Sequence, residues 1–324
     1  MDLSRDLSRT ANASSKLIET VEKFTELEES GFDDEHSAYH AVVSLVHQLC
    51  MNIGHAEKLG HNRTDIERIL EPVWELHSRS PFFRRMQSWP RGYPGDYETI
   101  EYLCECVSKA RPGTVEYFID QYGVTCNMAQ QHRNKLTWQA AKVLQTSLGS
   151  GEESHVLSIA CGGSRDLRSI QSLLQAAPVQ LFLNDIDADA LAHSVNTLPH
   201  LAGKLYPIHA NVFSAVRTFK KRGPFELIVT GGLFDYLSDK QIKWLLEKLF
   251  ESLKTEGRLC FTNIARGNPY RVWMEYLGDW KLLERSEADI TTLIRETDLE
   301  TSTQLDISRD QTGLTHLVEL TRIV

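Results

Sequence analysis

The sequence predicts an α/β protein: an open, doubly wound, mostly parallel sheet that follows an all-helical N-terminal region. Three observations carry this expectation. From about residue 155 short apolar runs alternate with amphipathic helical runs, the pattern of a parallel sheet covered on both faces. One of those apolar runs ends in a small-residue turn, Ala160-Cys-Gly-Gly-Ser-Arg-Asp166, that opens a helix. Upstream of residue 150, apolar residues recur only at helical spacing.

The elements follow in order. The first ten or so residues are polar and read as frayed. Helical spacing of Leu17, Ile18, Val21, Phe24 and Leu27 predicts a helix over 13–30, and Ala41, Val42, Leu45, Val46 and Leu49 predict another over 34–58. Thr64 or Asp65 would cap a third, carrying Ile66, Ile69, Leu70, Val73 and Leu76. The stretch 78–95 holds three prolines and two glycines and is expected to be irregular. Helices resume over 96–109 and from Pro112 to 148. The Gly/Ser linker 148–154 sets the expected boundary between a domain at 1–150 and one at 151–324. Strands are expected at 156–160, 180–184, 204–209, 225–230 and 258–264, with helices centred on 167–174, 188–196, 213–219 and 239–253. Residues 302–307 and 315–323, joined by the turn Arg309-Asp-Gln-Thr-Gly313, predict a C-terminal antiparallel hairpin.

Composition narrows the function. The chain has 324 residues, 41% hydrophobic and 24% charged, with 35 Lys and Arg against 44 Asp and Glu for a net charge of −9. Without a basic surplus, nucleic acid is a poor substrate candidate. Six cysteines are scattered, and Cys104 and Cys106 lack a second pair at ligand spacing, so no metal site is expected. The start Met1-Asp-Leu-Ser-Arg-Asp6 is unlike a signal peptide and no apolar run reaches membrane length, which points to a cytoplasmic protein. Oligomeric state is not readable, and a homodimer stays open.

The turn carries the chemistry. A second apolar strand ends on Asp185 and Asp187, about 20 residues beyond the turn, the separation of a ribose-binding acid in a Rossmann-like βαβ unit. Gly162 and Gly163 allow close approach of a ligand. The turn lacks the G-x-G-x-x-G spacing, and Asp166 at the helix start would repel a diphosphate. A nucleoside cofactor without phosphates fits better, which points to S-adenosylmethionine. Ser158, Ala160, Gly162, Ser164 and Arg165 would face its methionine end, and Asp185 the ribose, with Asp187 assisting or capping the next helix. Asn211 would meet the adenine amino group and Val212 the ring, although Asn211 reads almost equally as a helix cap. After the fourth strand Gly231-Gly-Leu-Phe-Asp-Tyr236 reads as backbone pressed against ligand, with Asp235 and Tyr236 able to orient an acceptor or take its proton. The plain alternative is that Phe234 and Tyr236 pack under the next helix and Asp235 caps it.

With these residues in hand, the chain resembles the class I S-adenosylmethionine-dependent methyltransferases, and within them the family annotated for biosynthesis of the extracellular factor 3-hydroxypalmitic acid methyl ester. The matching stretches are Arg91-Gly-Tyr-Pro-Gly-Asp96, Gln131-His-Arg-Asn-Lys135, Leu157-Ser-Ile-Ala-Cys-Gly162, Gly232-Leu-Phe-Asp-Tyr-Leu237 and Met274-Glu-Tyr-Leu-Gly-Asp-Trp280, with Arg285. Departures stand at Ser158, where the first strand usually carries an acid, and at Ala160 and Ser164, where the usual G-x-G-x-G has its outer glycines. The resemblance implies a Rossmann-like methyltransferase sheet, with the helical N-terminal domain as a cap over a small-molecule acceptor. A carboxylate acceptor, giving a methyl ester, would need positioning and desolvation more than a base. Arg84, Arg85, Arg91 and Arg133 are candidate anchors for it, with Trp89, Tyr93 and Asp96 flanking Arg91. An amine or hydroxyl acceptor would instead require Asp235, Tyr236, Tyr93 or His132 to receive a proton. Thioether or carbon acceptors, a non-catalytic S-adenosylmethionine-binding module and a nicotinamide enzyme are the competing readings.

Overall fold

The computed structural model describes residues 3–30, 32, 34–149 and 151–323, with side chains from residue 15 onward except at 30 and 300. Met1, Asp2 and Ser150 of the expected start and linker lie outside the described residues. The chain forms two compact units, Met1–Ala129 with Pro269–Lys281 and Gln130–Asn268 with Leu282–Val324.

The first unit is helical. Helix α1 (Leu3–Ser30) begins ten residues before the expected 13, and buries Leu17, Val21 and Phe24 while Ile18 is exposed. α2 (Glu35–Lys58) is capped by Asp34, whose Oδ1 accepts from Ser37 N at 2.9 Å. α3 (Arg63–Arg79) is capped by Asn62, not by Thr64 or Asp65, because the Asn62 Oδ1 accepts from Asp65 N at 2.9 Å. The stretch expected to be irregular contains α4 (Pro81–Ser88). Ser80 caps it and Pro81 takes its first position, where a missing N–H removes no helical hydrogen bond. α5 (Tyr97–Glu105) follows, and the single helical run expected to 148 divides at Cys126 into α6 (Val115–Thr125) and α7 (Asn127–Gly149).

Among the described residues of this unit, buried side-chain nitrogens and oxygens are partnered. Asp120 on α6 is wholly buried and accepts from Ser80 Oγ (2.7 Å), Phe82 N (2.9 Å), Tyr102 Oη (2.9 Å) and Lys109 N (3.1 Å). It ties the start of α4 to the end of α5. His77 contacts Val73 O through Nδ1 at 2.7 Å and the Trp273 indole through Nε2 at 3.0 Å. An indole N–H only donates, so Nε2 accepts and Nδ1 carries the proton. Burial holds the His77 imidazole down at about 4.

The second unit is an open sheet. Its elements are β1 (Ser154–Ile159), α8 (Arg165–Leu174), β2 (Val179–Asp185), α9 (Ala188–Thr197), β3 (Leu205–His209), α10 (Val212–Arg222), β4 (Phe225–Thr230), α11 (Asp239–Phe250) and β5 (Leu253–Ile264). After β5 the chain enters the helical unit for α12 (Arg271–Leu277), then returns for α13 (Glu287–Arg295), β6 (Thr303–Arg309) and β7 (Thr315–Arg322). The seven strands are ordered β3-β2-β1-β4-β5-β7-β6, and β7 runs antiparallel to both neighbours. This is a doubly wound, Rossmann-like sheet with an antiparallel hairpin at its C-terminus.

Alternation along the strands builds a core on each face. Leu157, Ile159 and Ile228 face Phe219, Leu245 and Leu249, while Val156, Leu227 and Val229 face Leu167, Ile170 and Val143. Val143 and Ala140 lie on α7, which explains why the unit begins at Gln130 and not at the 151 expected from the linker. The hydrophobic stripe of α7 is part of the sheet's core, and a Gly/Ser segment does not mark the limit of a core that reaches back past it. Strand order reverses between β1 and β4, and the crevice beyond their carboxyl ends is where open α/β sheets bind ligands.

Candidate functional site

The turn between β1 and α8 is built from left-handed backbone. Ala160, Gly162 and Ser164 have φ of +48°, +52° and +48°. For the two residues with a Cβ that geometry is strained by about 1–2 kcal/mol each. The outer positions therefore keep the conformation glycine would take freely, although the sequence places side chains there. Asp185 at the end of β2 holds the turn from the other side. Its Oδ2 accepts from Gly162 N at 2.8 Å and its Oδ1 from Asp187 N at 2.9 Å. Burial raises the Asp185 carboxyl, against the pull of those two N–H groups. Each of its oxygens keeps acceptor capacity for a further donor.

Asp166 sits in the first turn of α8, only 4% exposed, and its Oδ2 has no hydrogen-bond partner. Burial pushes its carboxyl up to about 6, opposed by the Leu167 N–H, its own N–H and the Arg168 charge. The half-buried Cys161 thiol is pushed well above its usual range by burial and by the charges of Asp185 and Asp166. A thiol so disfavoured as thiolate is no nucleophile.

The other expected cofactor residues fall around this turn or next to it. Ser158 is buried in β1, in register with Leu183 and Val229, and Arg165 is the first residue of α8. Asp187 caps α9, its Oδ1 accepting from Asp189 N at 2.9 Å, and Asn211 caps α10, accepting from Phe213 N at 2.9 Å. These are the plain alternatives, realised. Val212 is buried in the sheet's core. Asn184, not singled out from the sequence, donates to Ile208 O and Ala210 O at 2.9 Å each and fixes the loop after β3.

Beyond β4 the expectation needs correction. A Cβ on Gly231 would lie 3.2 Å from Gln139 Oε1, and one on Gly232 would lie 3.4 Å from Asp235 Oδ2. The paired glycines make room for this unit's own side chains. Asp235 is buried: Oδ1 accepts from Ile264 N (2.6 Å) and Asn263 Nδ2 (3.1 Å), and Oδ2 pairs with Lys135 Nζ at 3.6 Å. Burial raises its carboxyl and Lys135 opposes the rise. Asp235 is thus a structural tie in place of the proton acceptor expected from sequence. Arg285 completes the tie by donating to Phe234 O, Leu237 O, Asn263 Oδ1 and Asp239 Oδ1 at 2.6–2.9 Å. The result is a rigid 232–239 segment that leaves Tyr236 39% exposed. His132 is buried, and burial with the Lys135 and Arg133 charges holds it well below its usual range, so it stays neutral.

Gln131, Lys135 and Gln139 are all buried and lie four residues apart on α7. Gln131 accepts from Thr315 Oγ1 at 2.7 Å, so this polar stripe serves β7 as well as the loop after β4. Its i, i+4, i+8 spacing was the available signal for it. Arg133 donates to Gln130 Oε1 from Nε at 3.0 Å and from Nη2 at 2.8 Å.

In the helical unit the structure gathers Trp89, Arg91, Tyr93 and Asp96 in one loop between α4 and α5. Asp96 is not available to a ligand. It is 1% exposed, caps α5 through Thr99 N at 2.9 Å, and takes both oxygens to Arg85 Nη2 at 2.7 and 2.9 Å. Arg85 is spent on the same contact. Arg84 is exposed and donates to Ser78 O at 2.8 Å. Arg91 lies 3.6 Å from Glu98 and over the Tyr97 ring at 5.0 Å. The Trp89 indole donates to Asp279 O at 3.2 Å, and Tyr93 is half-buried.

Known structures share the fold. A possible exported protein from Bordetella parapertussis superimposes with a TM-score of 0.55 at 16% identity, covering 100% of both chains. A candidate methyltransferase from Thermobifida fusca YX gives 0.50 at 12% identity over 69% of this chain and 94% of its own. At such identities the likeness is one of fold. No protein-family model matches the chain, and no curated protein does. Among the described residues no helix is long and apolar enough to cross a membrane.

Proposed function

We propose that the sheet unit binds S-adenosylmethionine at the turn between β1 and α8, and that the protein transfers its methyl group to a small-molecule acceptor. One observation carries this reading: the left-handed run at 160, 162 and 164, locked by Asp185 to Gly162 N, with a buried carboxylate at the helix start. Left-handed backbone kept at three alternate positions of one turn, strained at the two that carry a Cβ, supports a ligand-binding role for that backbone. The acid at 166 disfavours a diphosphate there, and Asp185 retains lone pairs for a ribose diol. When bound, the cofactor supplies a methyl group on an electrophilic sulfonium.

Ser158, Ala160, Gly162, Ser164 and Arg165 form the proposed surround of its methionine end. Asp185 is assigned to the ribose, Asn211 and Val212 to the adenine side, and Gly231 to the end of β4. The acceptor we favour is a carboxylate, as in methyl ester formation, the reaction implied by the resemblance to the 3-hydroxypalmitic acid methyl ester family. A carboxylate brings its own electron pair, so the site needs no base, and the candidate bases here are poor ones. Asp235 is engaged by Lys135, Asn263 and Ile264, and His132 is buried. Arg91, Trp89 and Tyr93 of the helical unit and Arg133 are assigned to acceptor recognition, and Tyr236 to its orientation. We take the setting to be cytoplasmic.

Calorimetry of the full chain with S-adenosylhomocysteine and with NAD tests the cofactor. Uptake of the first and not the second is expected, and the converse would overturn the reading. Labelled S-adenosylmethionine offered with fatty acids, amino acids and amines tests the acceptor: label in base-labile esters is expected, and label confined to amines would reject the carboxylate.

A further inference from the structure

The helical unit carries a groove of about 510 Å³, a size typical of small-molecule sites. It runs along one face of α3 and is walled by α12 and the residues just after it. Two contacts fix that wall. Arg63 donates from Nη2 to Glu275 O at 3.0 Å, with its guanidinium 4.8 Å from the centre of the Tyr276 ring. Gln87 Nε2 donates to Leu277 O at 2.8 Å. Leu70 lines the groove from the core, and Trp74, 41% exposed, lines it from the surface.

The charges of the groove do not balance. Glu67, Glu71, Glu275 and Asp279 line it against only Arg63 and Arg68. Arg63 is engaged by Glu67 at 2.6 Å, Arg68 by Asp65 at 3.3 Å, and Glu275 by Arg271 at 3.0 Å. The Glu71 and Asp279 side chains have no ion pair or hydrogen bond among the described residues. Asp279 is nevertheless held in place: its φ is +47°, and its carbonyl accepts from the Trp89 indole at 3.2 Å. Partial burial raises its carboxyl, Arg63 opposing the rise and the Glu67 charge adding to it. Among the described residues no three His, Cys, Asp or Glu side chains converge as a metal ion would require. Carboxylates spread along a groove suit positive charges spaced along an apolar chain, and an exposed indole attracts an ammonium to its face.

We infer that this groove binds an aliphatic diamine or polyamine, with its ammonium groups paired to Glu71 and Asp279 and its chain laid against Trp74. The site belongs to the helical unit and is independent of the S-adenosyl reading above.

Calorimetry of the full chain at about 0.15 M salt tests this with spermidine and with butylamine, which carries a single ammonium. Spermidine should bind at one site, and butylamine at least about fivefold more weakly, because the second ion pair is lost. Trp74→Ala should weaken spermidine by about two- to fivefold, the range of an exposed cation–π contact. Glu71→Gln combined with Asp279→Asn should weaken it by about tenfold. Glu22→Gln combined with Glu26→Gln removes the same net charge from exposed positions of α1 and should leave binding within about twofold. Equal weakening by that control pair would reduce the effect to general attraction of a polycation to an acidic protein and overturn the inference. Butylamine as tight as spermidine, or no uptake of spermidine, overturns it as well, and so does uptake of a lysine-rich peptide in place of spermidine. The comparison of the two amines needs no variant, and none of these outcomes touches the S-adenosyl reading.

Discussion

Each unit of this molecule buries an aspartate, and the two are treated in opposite ways. Asp120 in the helical unit receives a hydroxyl, a phenol and two backbone N–H groups, so its charge is replaced in full by local dipoles. Asp166 in the sheet unit is nearly as buried and keeps an oxygen with no partner. The surrounding backbone differs in the same sense. Ser80 and Pro81 start α4 with an extended cap and a favoured first residue, whereas Ala160 and Ser164 hold left-handed φ around the turn. A saturated buried charge organises a scaffold. An unsaturated one beside a strained turn costs stability that the rest of the unit must offset.

That contrast can be broken by experiment, and the largest effect belongs to the saturated side. Asp120→Ala strips Ser80 Oγ, Phe82 N and Tyr102 Oη of their buried acceptor, while Lys109 N keeps Tyr102 Oη at 3.1 Å, and should destabilise the protein by about 3–5 kcal/mol, as removal of one partner from a buried charged network does. Urea unfolding of the full chain measures it, and a loss below about 1 kcal/mol, the worth of one ordinary hydrogen bond, would show that the network is ornamental.

His77 should come next. Its native imidazole stays neutral down to about 4, while in the unfolded chain it takes a proton near 6.5. Stability is therefore present above pH 6.5 and is lost as pH falls from there toward 4, by up to about 3 kcal/mol from this residue. Ring-proton NMR reads the same quantity, and a His77 titration near 6.5 would contradict the buried tautomer.

Asp166 has the opposite sign. Its native carboxyl is raised to about 6, so the native state holds the proton longer than the unfolded chain does. The ligand-free protein should lose stability as pH rises from about 4 to 6, by up to about 3 kcal/mol. Asp166→Asn should remove that loss, giving a more stable protein at pH 8 with little change at pH 4. A variant no more stable than wild type at pH 8 would mean that the oxygen is satisfied after all. The smallest effect is expected from Ala160→Gly and Ser164→Gly, each relieving left-handed strain worth about 1 kcal/mol. A drop in thermal stability for either would show that its side chain, and not the backbone shape, is what the turn needs.

Much of this architecture was legible because it depends on near neighbours. Strand alternation from β1 to β5, the hairpin, the helix after Asp34 and the turn at 160–166 are set by spacing and by residues a few positions apart. Local signals also misled. Three prolines in 78–95 hid the helix that Ser80-Pro81 starts, and Asn62 outcompeted Thr64 and Asp65 as a cap. α12 was missed for another reason: Val272 through Leu277 are all buried, so no amphipathic period marks them. In the site, Asp185 and Asp166 stood out by position. Lys135, Gln139 and Arg285 gained meaning through contacts with residues 22 or more positions away, such as Arg285 with Asn263 Oδ1 and Phe234 O.

The sequence by itself determined where strands and helices alternate, which turn opens the first βα unit, and that an acid follows it at ribose distance, because periodicity and capping act within a few residues. Only the tertiary structure decided how each acid is partnered. Asp96 is claimed by Arg85 and Asp235 by Lys135, while Asp166 is left with a bare oxygen. Whether a carboxylate is a structural tie or a binding group depends on the donors that folding delivers to it, and those come from elements the local pattern does not connect.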